Sequence, residues 1–394
     1  MPWLLKMTLF AATIKAVVDL YLGWRLIRAV DYLNPAPGSY MGWVVVLCFL
    51  GFYLFPLHGL TRYLLGGNVG ILTYSKPLIY LFWFGFAFSF QVLIWIVGAD
   101  ILKILANANG INAPQLDQLY AYLVIGFSVI LLLYTGYKMY SDTLRIETET
   151  ITHSVEGLPG DLGNFKIAHI TDIQADRYTG QNQVSKYVDK VNEQNPDIVV
   201  ITGDLISYGT DYVEMAAEEM GRIEAPYGTY FVVGDHDYWA GAENITGALR
   251  EHGIKILEAE NANIQVGSAK LRLSGLTNVY SREAPVHEIR NVMKDSTIAD
   301  LRVMATHQVS RSIIEESKEK KYEILLAGHT HGGQIRVPLF FTQFSAPDFE
   351  TRYVHGQYYD GDMLINVNNG LGFTLSPVRY NAPPNISVIT LEGK

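Results

Sequence analysis

Three stretches without a single Asp, Glu, Lys or Arg lie in the first 140 residues, at positions 32–61, 77–99 and 118–137. Each holds about the ~20 apolar residues that cross ~30 Å of hydrocarbon. A soluble core takes up one such helix, and three in close succession imply an α-helical membrane bundle. Four spans are expected, at 7–30, 41–62, 77–101 and 118–140, with three spans plus an interfacial helix as the other arrangement. The first is interrupted by Lys15, Asp19 and Arg25, so it must turn those groups into the bundle or lie in the interface. It is too long for a signal peptide and lacks a cleavage pattern. With four spans, Lys6, Arg62, Lys76, Lys138 and Arg145 share one side against Arg25, Arg28 and Lys103. That excess predicts a multi-pass protein with its C-terminal domain in the cytoplasm. Asp100 and Lys103, one helical turn apart, read as an interfacial ion pair or a solvated helix end.

Charge separates the chain into two unlike parts. Residues 1–140 carry eight Lys/Arg, four Asp and no Glu, whereas residues 141–394 carry 22 basic and 35 acidic groups, a net −13. The acidic part lacks the basic footprint of a nucleic-acid binder. The only cysteine, Cys48, excludes an internal disulfide framework and a multi-cysteine zinc site. A linker is expected at 141–160 and a second domain at 161–394.

In that domain, short apolar runs alternate with helical patterns. FKIAHIT, DIVVIT, TYFVV, LRLSGL, LRVMAT, YEILLAG, MLINVN and ISVIT read as strands, and QVSKYVDKV places Val184, Tyr187, Val188 and Val191 at helical spacing. The result is an α/β domain whose strands form two sheets. Directly after five of these strands come Asp172-Ile173-Gln174, Gly203-Asp204, Gly234-Asp235-His236-Asp237, His307, and Gly328-His329-Thr330-His331. Asp and Gly are common in turns, but five consecutive strand ends offering Asp, Gln or His point to a ligand site. Carboxylates and imidazoles without thiolates suit Mn, Fe, Zn or Mg, and two such cations ~3.5–4 Å apart clamp a phosphate.

DIQ, GDL, GDHD, THQ and GHTHGGQI, in that order, resemble the motif series of the calcineurin-like metallophosphoesterases, D-x-H, G-D, G-N-H-[DE], a lone His and G-H-x-H. The resemblance covers roughly 160–394. It extends to the membrane-anchored branch through GHTHGGQI and the late segment NNGLGF…PVRYNAPPNISVITL. It implies a two-sheet αββα sandwich and a phosphoester hydrolase using two divalent metal ions, Mn favoured. Asp172, Gln174, Asp204 and His331 would surround one ion, and Asp204, Asp235, His307 and His329 the other. His236 would be the catalytic histidine, with Asp237 orienting its imidazole, while a metal-activated hydroxide attacks in line.

Two positions depart from the family pattern. Gln174 replaces His and Asp235 replaces Asn, which should weaken the first ion's site and favour harder ions at the second. The same departures open another reading, a catalytically impaired phospholipid-binding sensor or scaffold. The membrane part suggests a phosphomono- or diester of a lipid as substrate and the bilayer as partner; no protein partner is legible. The apolar stretch VPLFFTQF from Val337 is expected as a buried strand or a lipid-facing loop. His169 reads as a core histidine, His355 as a packing or surface group, Arg177 as a loop arginine or phosphate contact, and Asn368 and Asn369 as turn chemistry.

Overall fold

Runs of Leu, Phe, Trp and Val with few turn formers between them fold as helices in the computed structural model, which describes residues 2–35, 40–67, 75–111, 113–294, 299–339 and 342–394. The chain forms two units. The first contains α1 (Trp3–Leu33), α2 (Met41–Gly51), α3 (Leu54–Leu64), α4 (Lys76–Ala108) and most of α5 (Pro114–Leu144). Among the described residues, α4 and α5 are long and apolar enough to cross a membrane, and α2 with α3, bent by 55° between them, makes a third if the pair is one span. Two or three candidate spans therefore stand in place of the four expected. The expected 41–62 helix is broken at Phe52–Tyr53, and α1 is not among the candidates.

Three charges of α1 are paired, Lys15 and Asp19 in the interior and Arg25 partly buried. Lys15 is fully buried beside Asp19 one turn on, and its ammonium lies 4.7 Å from the ring centres of Phe52 and Tyr53. The Tyr53 hydroxyl donates to Asp19 at 2.8 Å. Arg25 reaches Asp100 at 2.5 Å, and the hydroxyls of Tyr21 and Tyr120 also donate to Asp100. Asp100 and Lys103 thus do not pair with each other, because Lys103 reaches Asp117 on α5 at 2.7 Å. A buried charge is tolerable only with such partners.

Two later segments, Ile335–Ser345 and Leu375–Asn381, belong to this same unit. The first holds the antiparallel strands that bound the VPLFFTQF stretch, Val337–Leu339 and Thr342–Phe344. Phe340 and Phe341, at the centre of that stretch, lie outside the described residues. In the second segment the Tyr380 hydroxyl donates to Gln91 Oε1 at 3.0 Å and the Asn381 amide to Asp142 Oδ2 at 2.7 Å.

The second unit is built on two six-stranded sheets. Numbered in chain order, its strands in the first sheet are β1 (Glu147–Val155), β2 (Lys166–Ile170), β3 (Ile198–Ile201), β4 (Thr229–Phe231), β5 (Lys255–Ile256) and, after all others, β14 (Asn385–Gly393). They lie in the order β1-β14-β2-β3-β4-β5. The second sheet contains β6 (Glu260–Val266), β7 (Ala269–Leu276), β8 (Leu301–Thr306), β9 (Ile324–Ala327), β12 (Gly356–Asp360) and β13 (Met363–Val367); β10 and β11 are the two short strands of the first unit. Its order is β12-β13-β9-β8-β7-β6. The segment 141–160, expected as a linker, instead ends α5 and supplies β1, which pairs in parallel with β14 along its whole length.

Residue alternation explains the layering. Ile198 and Val200 of β3 meet Val303 of β8 and Leu326 of β9 between the sheets, while Val199 and Ile201 face outward. The outward side of the first sheet is covered by α6 (Gln181–Asn192), α7 (Val213–Met220) and α9 (Ala242–Glu251), α8 (Asp235–Ala240) lying before the last of these. The second sheet is covered by α10 (Val286–Met293) and α11 (Arg311–Glu319). Strands buried on both faces tend to be apolar throughout, as β3 (IVVI) and β9 (ILLA) are. The architecture is the αββα sandwich expected.

Candidate metal centre

Parallel strands deliver their C-terminal ends to one edge of a sheet. The turns after β2, β3 and β4 carry Asp172, Gln174, Asp204, Asp235, His236 and Asp237, and those after β8 and β9 carry His307, His329 and His331. Left-handed backbone marks these turns: φ is 50° at Asp172, 51° at Gln174, 56° at Asp204, 75° at His329 and 51° at His331. Each such residue costs about 1–3 kcal/mol, and five at one place imply a task that outweighs the strain. Glycine is required beside them. A Cβ on Gly234 would sit 2.2 Å from Asp204 Oδ1, and one on Gly328 would sit 2.5 Å from Asp172 Oδ2.

The side chains converge. His307 Nε2 lies 3.5 Å from Asp204 Oδ2 and 3.3 Å from Asp235 Oδ2. His329 Nδ1 lies 2.6 Å from Asp235 Oδ2, and His331 Nε2 lies 3.1 Å from Asp172 Oδ1. Two groups, Asp235–His307–His329 and Asp172–Asp204–His307, each bring three ligand atoms within 4.8 Å of one another. Asp172 Oδ1, Asp235 Oδ2, His307 Nε2 and Gln174 Oε1 are buried and lack a hydrogen bond of acceptable geometry. Orphaned acceptors are costly in a protein interior. Three of these residues, Asp172, Asp235 and His307, belong to the converging groups, which fit a divalent cation, whose ligands must present lone pairs rather than protons.

The electrostatics agree. Burial acts to lower the His329 pKa, but the Asp235 and Glu350 carboxylates outweigh it and raise it to about 9. His307 is likewise pulled well above the ordinary range against its burial, by Asp204, Asp235 and Asp172. Burial would raise Asp172 and Asp235; His331 and His307 hold the first, and His307 and His329 the second, well below the usual carboxylate range. Surplus negative charge thus holds protons on the imidazoles, and a cation among the same atoms replaces them.

Gln174 and Asp235 are each anchored by a specific contact. The Gln174 amide donates to Asp204 Oδ2 at 2.7 Å, which leaves its own Oε1 as the orphan. Asp235 Oδ1 accepts the Tyr280 backbone N–H at 2.5 Å, so its other oxygen turns to the imidazoles.

The His236 ring is oriented differently from the expectation. Its Nδ1 lies 2.5 Å from the carbonyl oxygen of Ser207, not against Asp237. Asp237 instead accepts three backbone N–H groups, from Asp204 at 2.7 Å, Leu205 at 2.9 Å and Gly234 at 3.0 Å. Burial and the neighbouring Asp204 charge raise Asp237 to about 7. Its structural effect is to clamp the β3 turn to the start of α8. Ser207, Tyr280 and Glu350, which lies 3.7 Å from His329, were missed. Two of the three act through backbone atoms, which carry no residue-type signal.

The remaining candidates are held by contacts of their own. His169 is fully buried, between Thr202 Oγ1 at 2.9 Å and Asn366 Nδ2 at 2.7 Å, and burial holds it neutral at a pKa of about 3. Asn368 donates to the His169 carbonyl and to Ser387 and accepts the Gly370 N–H. Asn369 donates to the Pro383 carbonyl. Arg177 lies over the Tyr178 ring, and the His355 backbone N–H meets the Tyr358 hydroxyl at 3.4 Å.

Comparison with known proteins places this geometry. Residues 165–333 match the profile of the family described as calcineurin-like phosphoesterase. An uncharacterized metallophosphoesterase of Campylobacter jejuni, Cj0846, is 27% identical over 77% of this chain and 78% of its own length. A Danio rerio transmembrane protein with metallophosphoesterase domain is 28% identical over 60% of this chain and 55% of its own. The Escherichia coli phosphodiesterase YaeI is 25% identical over 62% of this chain and 88% of its own.

Proposed function

We propose that this protein, a metal-dependent phosphoester hydrolase of the calcineurin-like phosphoesterase family through residues 165–333, is anchored in a membrane and hydrolyses a lipid-derived phosphoester. The observation carrying the reading is the convergence of Asp and His side chains from five strand ends, with orphaned lone pairs among them on Asp172, Asp235 and His307. The lipid part is supported by α4 and α5 of the same chain, both long and apolar enough to cross a membrane. With those two as a hairpin, Arg62, Lys76, Lys138 and Arg145 fall on one side and Lys103 on the other. That excess favours the hydrolase domain on the cytoplasmic face.

In the proposed site, Asp172, Gln174, Asp204 and His331 would hold one divalent cation, and Asp204, Asp235, His307 and His329 would hold the second. Such cations clamp a phosphate and make water acidic enough to attack at neutral pH. The protein's own groups do the rest. The Ser207 carbonyl can only accept, so the His236 Nδ1 must carry hydrogen. Nε2 is then left to face substrate and, in the imidazolium, gives its proton to the leaving oxygen, releasing an alcohol and a neutral ring. Asp237 keeps α8, and with it His236, in register with Asp204. An amide oxygen and an added carboxylate are hard donors, which favours Mn or Mg over Zn.

One observation favours a second reading. The Gln174 amide occupies Asp204 Oδ2, as it would in a binding module that retains a single cation. Metal analysis and turnover of phosphomono- and diesters with Mn, Mg and Zn, on wild type and His236→Ala, separate the two. The hydrolase reading requires turnover that falls in His236→Ala by about 10²–10⁴-fold with metal content retained. Equal inertness of both proteins with every metal supports the binding module.

A further inference from the structure

Seven large apolar side chains are exposed among the described residues of 145–394: Tyr208, Tyr238, Trp239, Tyr280, Val286, Phe349 and Tyr359. Scattered singly, such groups need no explanation, but four of the seven gather about His236. Tyr208 follows Ser207, whose carbonyl holds the His236 ring. Tyr238 and Trp239 follow His236 on α8, and the Tyr280 N–H is bonded to Asp235. The Tyr208 ring centre lies 5.6 Å from that of His236 and the Trp239 ring centre 5.3 Å. Trp239 is also the only tryptophan after residue 140.

The indole N–H of Trp239 donates to Ser281 Oγ at 2.9 Å. This satisfies its polar tip, joins α8 to the loop carrying Tyr280, and leaves the ring, 58% exposed, as an apolar surface. Two segments thus set aromatic rings against the His236 imidazole, and a third, carrying the exposed Tyr280, is tied to them through its backbone bond to Asp235 and through Ser281. Tyr208 stands at 78° and Trp239 at 56° to the imidazole plane, so neither forms a parallel slot with it for a flat base. Inclined rings make a trough, which suits a flexible hydrocarbon body.

Resting on the hydrolase reading above, we infer that Tyr208, Trp239 and Tyr280 form the subsite for the apolar part of the leaving alcohol, and that the substrate is a phosphoester of an acylated alcohol. The rim gives preference for the acylated over the bare headgroup, because aromatic side chains bury large areas against hydrocarbon.

The test uses the full chain in detergent with two readouts. The first compares dioctanoyl phosphatidate with glycerol 3-phosphate, short-chain phosphatidylglycerol with glycerophosphoglycerol, and adenosine monophosphate with both series. Wild type should prefer the acylated partner by about tenfold or more in kcat/KM, and Tyr208→Ala/Trp239→Ala/Tyr280→Ala should abolish most of that ratio. Tyr359→Ala, at an exposed tyrosine on β12, should keep it. A wild-type ratio near one, a ratio that survives the triple variant, or a preference for the nucleotide that the triple variant removes would overturn the inference. The second readout does not depend on turnover. The fluorescence difference between wild type and Trp239→Phe should be quenched by soluble dibromoacyl phosphatidate and not by glycerol 3-phosphate; no quenching counts against the subsite. Quenching without turnover of any substrate would uphold the subsite and defeat the hydrolase reading. Turnover without chain preference or quenching would do the reverse.

Discussion

The side-chain amide of Gln174 donates to Asp204 Oδ2 across 2.7 Å, with both groups buried. Asp204 Oδ1 is taken by the His236 backbone N–H at 2.8 Å, so the carboxylate assigned to both proposed cation sites is hydrogen-bonded at both oxygens. An imidazole at position 174 would offer a ligand nitrogen, where the Gln amide offers a proton to Asp204. Gln174→His should therefore tighten retention of the more weakly held ion by about 10–100-fold. Competition with a graded series of chelators measures it, and an unchanged metal-release profile would count against the assignment of Gln174 to the site.

Metal binding should release protons. His329, raised to about 9, and His307, raised well above its ordinary value, both carry protons at neutral pH when only carboxylates face them. Their raised values stabilise the metal-free fold fully below about pH 6.5, and that contribution fades as pH rises through the folded values. A cation competes with those protons, so its affinity should increase with pH. Titration calorimetry at pH 7 in buffers of different ionisation enthalpy should find roughly two protons released per chain. A heat independent of buffer would contradict this.

Acid should act through a different histidine. His169 is neutral in the fold, with a pKa of about 3 because burial outweighs the nearby Asp172. The unfolded chain takes up a proton near pH ~6.5, so stability is intact above that value and lost progressively as pH falls towards 3. The dependence should be about 1.4 kcal/mol per pH unit. Denaturation at pH 7, 6 and 5 should show a shallower loss in His169→Gln than in wild type; identical slopes would assign the acid sensitivity elsewhere.

Close backbone approach gives a steric prediction. The Cβ of Gly234→Ala would fall 2.3 Å from the Asp204 backbone nitrogen, which the fold relieves only by parting the β3 turn from α8. A loss of about 2–4 kcal/mol in stability is expected, with metal retention falling alongside. Gly247→Ala meets nothing within 4 Å and lies in α9, where replacing glycine should add about 0.5–1 kcal/mol. Thermal midpoints moving in opposite directions would bear out both.

Sequence alone determined what depends on local pattern. Apolar windows identified helices of the first unit, and short apolar runs the central strands of both sheets. The residues after five strands named Asp172, Asp204, Asp235, His307, His329 and His331 before any contact was visible. Where polarity blurred the pattern it failed: β1, ETETITHSV, exposes alternate polar residues and read as a linker, although pairing with β14 makes it a strand. Tertiary structure decided the rest, because those contacts join groups far apart in the chain or lack a side-chain identity. Asp100 binds Arg25 from 75 residues away, so the turn-spaced Lys103 was the wrong partner. The group that sets the His236 tautomer is a backbone carbonyl at Ser207, a feature every residue possesses and no sequence distinguishes.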